Sequence, residues 1–171
     1  MKSKFQHIID QHHGILYKIG RAYSHDKADF EDLYQEMLIQ LWQSFPRFQQ
    51  QSKLSTYIYR VVLNTALTHQ RKQKQQLKAV PLEEQAFRIK DHNGDWPIEA
   101  YEKEKKIDLL YECINELKKE DRAIILLHLE GSSYEEMAEI TGLSSSNIGV
   151  RLLRLKKKLH KLLIKKGYER V

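Results

Sequence analysis

Apolar residues recur at helical spacing in several blocks, and the clearest is DFEDLYQEMLIQLWQSF, residues 29–45. Phe30, Leu33, Tyr34, Met37, Leu38, Leu41, Trp42 and Phe45 form one stripe on a helix of 3.6 residues per turn. Asp29, Glu31 and Asp32 crowd its start, where carboxylates satisfy free amide groups and complement the helix dipole, and Pro46 sets its stop. The opposite face carries Asp32, Gln35, Glu36 and Ile39, an acidic and amide-bearing ridge. Before it, residues 4–24 place Phe5, Ile8, Ile9, His12, Ile15, Leu16, Ile19 and Tyr23 at the same spacing, predicting a first helix with Gly14 and Gly20 as candidate breaks. After it, the polar turn QQQSK leads into a helix capped near Ser55. There Leu54, Ile58, Val61, Val62 and Thr65 turn inward, and Tyr57, Arg60, Asn64, Arg71 and Lys72 form the opposite strip.

Residues 73–106 are polar and weakly periodic, broken by Pro81, Gly94 and Pro97, which reads as a linker. Asp91, Asn93, Asp95 and Glu102 mimic a calcium loop there, but Trp96 stands where such a loop needs glycine, so a turn is the sounder assignment. Helical pattern returns at Ile107. Leu109, Leu110, Cys113, Ile114 and Leu117 form one stripe, and Ala123, Ile124, Leu127 and His128 the next, which Gly131 ends. Ser133 and Glu136 make a capping box for a short helix bearing Met137, Ala138 and Ile140. Thr141, Gly142 and Leu143 turn the chain, and Ser144 or Ser145 caps a long last helix, completing a helix-turn-helix pattern. Ile148, Leu152, Leu155, Leu159 and Leu162 share its inner line, while Ser146, Asn147, Val150, Leu153, Arg154, Lys157 and Lys161 stand opposite. Apolar side chains among hydroxyls and cations suit a DNA major groove, where they meet thymine methyl groups and arginine reads guanine.

The predicted fold class is therefore all-α, as two small helical domains: residues 1–75, a flexible linker over 76–105, and residues 106–171. Composition narrows the function. The chain has 171 residues, a formal net charge of +6 and 30% charged residues, which suits a nucleic-acid partner and a helix-rich fold. It contains no apolar run of membrane-spanning length, and MKSKFQHIIDQHHG has no apolar signal core, so the expectation is a cytoplasmic protein without membrane insertion. Cys113 alone makes no intramolecular disulfide, and its apolar neighbours predict a packed thiol. His7, His12 and His13 lack metal-ligand spacing, and no Gly-rich phosphate loop or nucleophile–base set occurs, so neither metal, cofactor nor enzymatic chemistry is expected.

DFEDLYQEMLIQLW, then RF, LSTYIYRVVLNTAL and HQRKQ, resembles region 2 of the sigma-70 family of bacterial RNA polymerase initiation factors. ELKKEDRAIILLHLEGSSYEEMAEITGLSSSNIGVRLLRLKKKL resembles region 4 of that family, with Gly149 where the family is often basic and Val150 where it is often small and polar. Both regions in this order resemble the short, extracytoplasmic-function type of sigma factor. The resemblance implies that Asp32, Leu33, Gln35 and Glu36 dock on core RNA polymerase. It implies that Lys53, Ser55, Thr56, Tyr57, Tyr59, Arg60, Asn64, Arg71 and Lys72 open and read the −10 promoter element, with Tyr57 replacing the usual Trp. It implies that Ser145, Ser146, Asn147, Val150, Leu153, Arg154 and Lys157 contact the −35 duplex. Promoter DNA and core polymerase are the implied partners, with an anti-sigma factor as a third partner that many short family members have. The competing reading is a stand-alone helix-turn-helix regulator that binds duplex operators as a dimer and leaves the Asp32, Gln35, Glu36 ridge without a purpose.

Overall fold

The computed structural model describes residues 2–76 and 98–168. Among these the chain is all-α, with α1 (Lys2–Tyr23), α2 (Lys27–Ser44), α3 (Leu54–Gln76), α4 (Ile98–Asn115), α5 (Lys119–Leu129), α6 (Tyr134–Thr141) and α7 (Ser145–Lys165). The would-be calcium positions Asp91, Asn93 and Asp95 lie outside the described residues. So does most of the expected linker, but its last part is helical: residues 98–105 are the first two turns of α4.

The stripe on α2 behaves as its spacing predicts, with Leu33, Met37 and Leu41 packed inside against α1 and α3. Burying each such side chain stabilises the fold by about 1.5–3 kcal/mol. The start of α2 is capped by Asp26, whose carboxylate accepts the Asp29 amide at 2.8 Å. Phe45–Arg47 then tighten into a 3-10 turn at Pro46. α1 is continuous through both glycines. Gly20 is a point of close approach rather than a break: a Cβ there would sit 2.7 Å from the Phe30 ring, so its bare backbone lets α2 lie against α1.

In the second half the capping box forms as expected, with the Ser133 amide donating to Glu136 at 3.0 Å and the Glu136 amide to the Ser133 hydroxyl at 3.1 Å. Gly142 ends α6 at φ 74°, a left-handed conformation that glycine adopts without penalty, and the Ser144 side chain caps α7. The middle of α5, Ala123 to Leu127, is buried on every side, because α1, α4, α6 and α7 all pack against the helix. Ile125 and Leu126, which fall off the stripe read from periodicity, are inside for that reason. Cys113 is buried, and that burial pushes its thiol up.

The two halves share one hydrophobic core. The end of α1 is pinned to α4 and α5: Arg21 pairs with Asp108 and lies 4.3 Å over the Tyr111 ring, and the Tyr23 hydroxyl donates to the Lys119 carbonyl at 2.6 Å. Arg122 donates to the Ala22 carbonyl at 3.0 Å from the other side.

Candidate functional site

Three faces carry the residues singled out from the sequence. On α2, Asp32, Gln35 and Glu36 form an accessible ridge, extended by Ile39, which is 53% exposed. Leu33 is not part of it. Its side chain is fully buried because position 33 lies on the apolar stripe, so it supports the ridge from beneath and cannot touch a partner.

Behind the ridge lies a polar cluster that pattern reading missed. The Asp29 carboxylate is buried between α2 and α3. It accepts from His69 Nε2 at 2.6 Å, from the His25 amide at 2.9 Å and from Gln73, and it pairs with His25 Nδ1 at 2.8 Å. Burial alone would raise its pKa, but the hydrogen bonds from His25 and His69 outweigh that and hold the carboxyl well below the usual range. His69 Nδ1 in turn lies 3.2 Å from Glu36 Oε2. Asp29 was assigned only to the start of its helix, and His69 sits forty residues further along the chain. Three-residue and four-residue spacing carries no signal for a pair so far apart.

The second face runs from Lys53 along α3, and the structure divides it. Asn64, Arg71 and Lys72 are exposed. Tyr57, which periodicity assigned to the outer strip, is buried, with its ring 4.8 Å from Phe48 and its hydroxyl donating to the Ser44 carbonyl at 2.9 Å. Thr56 and Tyr59 are buried too. Burial and the neighbouring Glu130 carboxylate push the Tyr59 phenol far above its ordinary value. Two elements cover this part of α3: α6 packs on it, and the Phe45–Phe48 turn lies over Tyr57. Lys53 Nζ meets Glu136 Oε1 at 2.6 Å, and Arg60 Nη1 lies 4.0 Å from Glu139 Oε1. The Lys53 hydrogen bond, helped by the Ser133 amide, lowers the Glu136 pKa, and the same bond raises that of Lys53. Between the halves is a cavity of about 410 Å³ whose walls include Ser55, Thr56, Tyr59, Glu130 and Glu136.

The third face belongs to α7. Ile148, Leu152, Leu155 and Leu159 are buried, which turns Ser146, Asn147, Val150, Leu153, Arg154 and Lys157 outward. Ser145 is half-buried at the helix start. Val150 and Leu153 are 53% and 59% exposed among these polar and basic neighbours. Gly149, with no side chain of its own, lies under Tyr134, and a Cβ there would stand 3.4 Å from the ring.

No group of three His, Cys, Asp or Glu side chains among the described residues could hold a metal ion, and no helix among them is long and apolar enough to cross a membrane.

Residues 8–76 match the family description Sigma-70 region 2, and residues 107–159 match Sigma-70, region 4. The chain is 26% identical over 162 residues to the RNA polymerase sigma-H factor of Pseudomonas aeruginosa, across 91% of this chain and 83% of that one. It is 28% identical over 157 residues to RNA polymerase sigma factor SigS of Staphylococcus aureus, across 91% of this chain and 96% of that one. Among solved structures, its fold is similar to that of the sigma factor RpoE in complex with the anti-sigma factor NepR from Bartonella quintana. The TM-score is 0.74 at 23% identity, over 94% of this chain and 96% of that one. It is also similar to CnrH in complex with the cytosolic domain of CnrY, with a TM-score of 0.67 at 18% identity over 98% and 92% of the two chains.

Proposed function

Because the chain belongs to the sigma-70 family, we propose that it is a transcription initiation factor that binds core RNA polymerase and directs it to particular promoters. In this reading residues 1–75 hold the polymerase and read the −10 element, residues 106–171 anchor on the −35 element, and residues 76–105 connect them. The factor acts by assembly, in the cytosol. It forms no covalent intermediate and supplies binding surfaces alone.

The observation that carries this reading is that two unlike surfaces stay accessible on one chain, the Asp32, Gln35, Glu36 ridge of α2 and the basic, leucine-bearing face of α7. A stand-alone duplex-binding regulator has use for the second and none for the first. On α7, Arg154 offers two parallel donors that match guanine O6 and N7, and Val150 and Leu153 offer apolar contact for thymine methyl groups. On α3, Asn64 presents an amide suited to the edges of unpaired bases, and Arg71 and Lys72 present cations for phosphates.

The −10 role of Lys53, Thr56, Tyr57, Tyr59 and Arg60 carries a condition. With α6 seated on α3, the two cations face carboxylates and Thr56 and Tyr59 are out of reach, so α6 has to leave α3 before a melted strand can replace it, and Tyr57 is reached only if the Phe45–Phe48 turn that covers it opens as well. Docking on polymerase and capture of the −35 duplex by α7 are the events that would draw the second half away. An anti-sigma factor is a further partner in this proposal, one that would engage the same apolar and acidic surfaces in competition with polymerase.

Gel filtration of the chain with core polymerase tests the proposal. Co-elution of the wild type, lost on Glu36→Lys with an unchanged circular dichroism spectrum, is the expected result. Separate elution of the wild type would return the chain to the regulator class.

A further inference from the structure

The Asp29 and His69 pair has a position that core stability alone does not require. His69 projects from α3 into the seam with α2, and its two ring nitrogens face two carboxylates on α2 that stand two turns apart. Nε2 meets the buried Asp29 and Nδ1 meets Glu36, whose side chain is 41% exposed at the edge of the ridge. An imidazole that carries hydrogen on both nitrogens donates to both carboxylates, whereas one that carries a single hydrogen serves only one of them. The ring is therefore a strut, with one end fixed in the interior by Asp29, Gln73 and His25, and the other on a group that a partner would meet.

We propose that His69 is a positioning residue for polymerase docking, which it serves by holding the Glu36 carboxylate in its binding orientation. The inference rests on the reading of α2 as the docking ridge. A free glutamate side chain samples many rotamers, and fixing one on association costs part of the binding free energy. Glu36 held by His69 is ordered before the partner arrives. Losing the strut should thus weaken docking about two- to fivefold, the cost of ordering one flexible side chain.

Two conservative variants separate this role from a structural one. The amide nitrogen of glutamine falls close to the place of imidazole Nε2, and that of asparagine close to the place of Nδ1. His69→Gln keeps a donor for the buried Asp29 and loses the one for Glu36. His69→Asn does the reverse. Affinity for core polymerase and the melting temperature are measured for both, alone and with Glu36→Ala. The expected result is that His69→Gln melts near the wild type but docks two- to fivefold more weakly, while His69→Asn melts lower yet docks more tightly than His69→Gln. In the Glu36→Ala background, His69→Gln should change affinity no further. If docking follows melting temperature across the two variants, or if the His69→Gln and Glu36→Ala effects multiply, His69 is structural and the inference is overturned. If Glu36→Ala alone leaves affinity unchanged, the docking reading of Glu36 has failed and the inference falls with it, a result distinct from the previous one.

Discussion

Arg122 ties the two halves together, and replacing it with leucine should loosen them measurably. Its guanidinium donates to the carbonyls of Asn115 at 2.7 Å and Leu117 at 3.0 Å, where α4 ends, and to the carbonyl of Ala22 at 3.0 Å, in the last turn of α1. These acceptors sit at helix C-termini, where carbonyls have no partner within their own helix and the dipole favours a cation. The Tyr23 ring flanks the group at 5.8 Å, and burial lowers its pKa below the ordinary arginine value. Leucine fills much of the same volume and restores none of the three bonds. At about 1 kcal/mol for each bond the loss is about 3 kcal/mol, set against a total stability of about 5–15 kcal/mol. For a chain of this size the melting temperature should fall by roughly 6–12 °C. Urea titration followed by far-ultraviolet circular dichroism measures the free energy. Fluorescence of Trp42 in a Trp96→Phe background reports on the first half separately. Because the Ala22 bond crosses between halves, the two probes should give separated midpoints in Arg122→Leu and coincident ones in the wild type. Arg122→Lys, with one compact charge, should recover only part of the loss. A shift below about 1 °C with coincident midpoints would refute this reasoning and leave the halves joined by apolar packing and the remaining polar contacts, such as Arg21 with Asp108 and Tyr23 with Lys119.

Three further outcomes are expected. The double change Glu136→Lys and Glu139→Lys sets like charges against Lys53 and Arg60, so the free chain should bind a single-stranded −10 oligonucleotide more tightly than the wild type does; unchanged affinity by fluorescence anisotropy would mean that α6 does not mask α3. Arg154→Ala should cost about 1–3 kcal/mol and relax preference at one or two −35 positions, whereas Lys157→Ala should weaken all sequences alike and reduce the salt slope by about one, so identical profiles across a −35 panel would mean α7 docks differently. For pH, the folded-state pKa of Asp29 is depressed, so its stabilisation is complete above the ordinary carboxylate value of about 4 and fades as pH falls below it; that of His25 is raised by its hydrogen bond to Asp29, so its contribution is complete below about 6.5 and fades as pH rises past the raised value. Asp29→Asn should flatten both limbs of a urea-midpoint profile, and a profile that keeps its acid limb would place the titrating group elsewhere.

The amphipathic stripes of α2 and α7, the capping box at Ser133, the turn at Gly142 and the outward face from Ser146 to Lys157 were all readable in the residues. Each depends on neighbours within one or two turns, and local spacing records such relations. The ridge of Asp32, Gln35 and Glu36 belongs with them, since whatever is opposite a buried stripe is exposed unless another element covers it. Covering is what spacing cannot express. Tyr57 and Tyr59 are inside because α6 and the Phe45–Phe48 turn fold over α3, and Ile125 and Leu126 are inside because α5 has neighbours on all sides. Leu33 fitted both an apolar stripe and a family docking motif, and packing assigned it to the core. Gly20 looked like a helix break and proved to be a contact, because only the arrival of the Phe30 ring gives a missing Cβ its purpose. Asp29 and His69 make the same point chemically. A buried carboxylate is costly alone and tolerable when paired, and its partner stands on another helix forty residues away, joined to it only once α2 and α3 have packed.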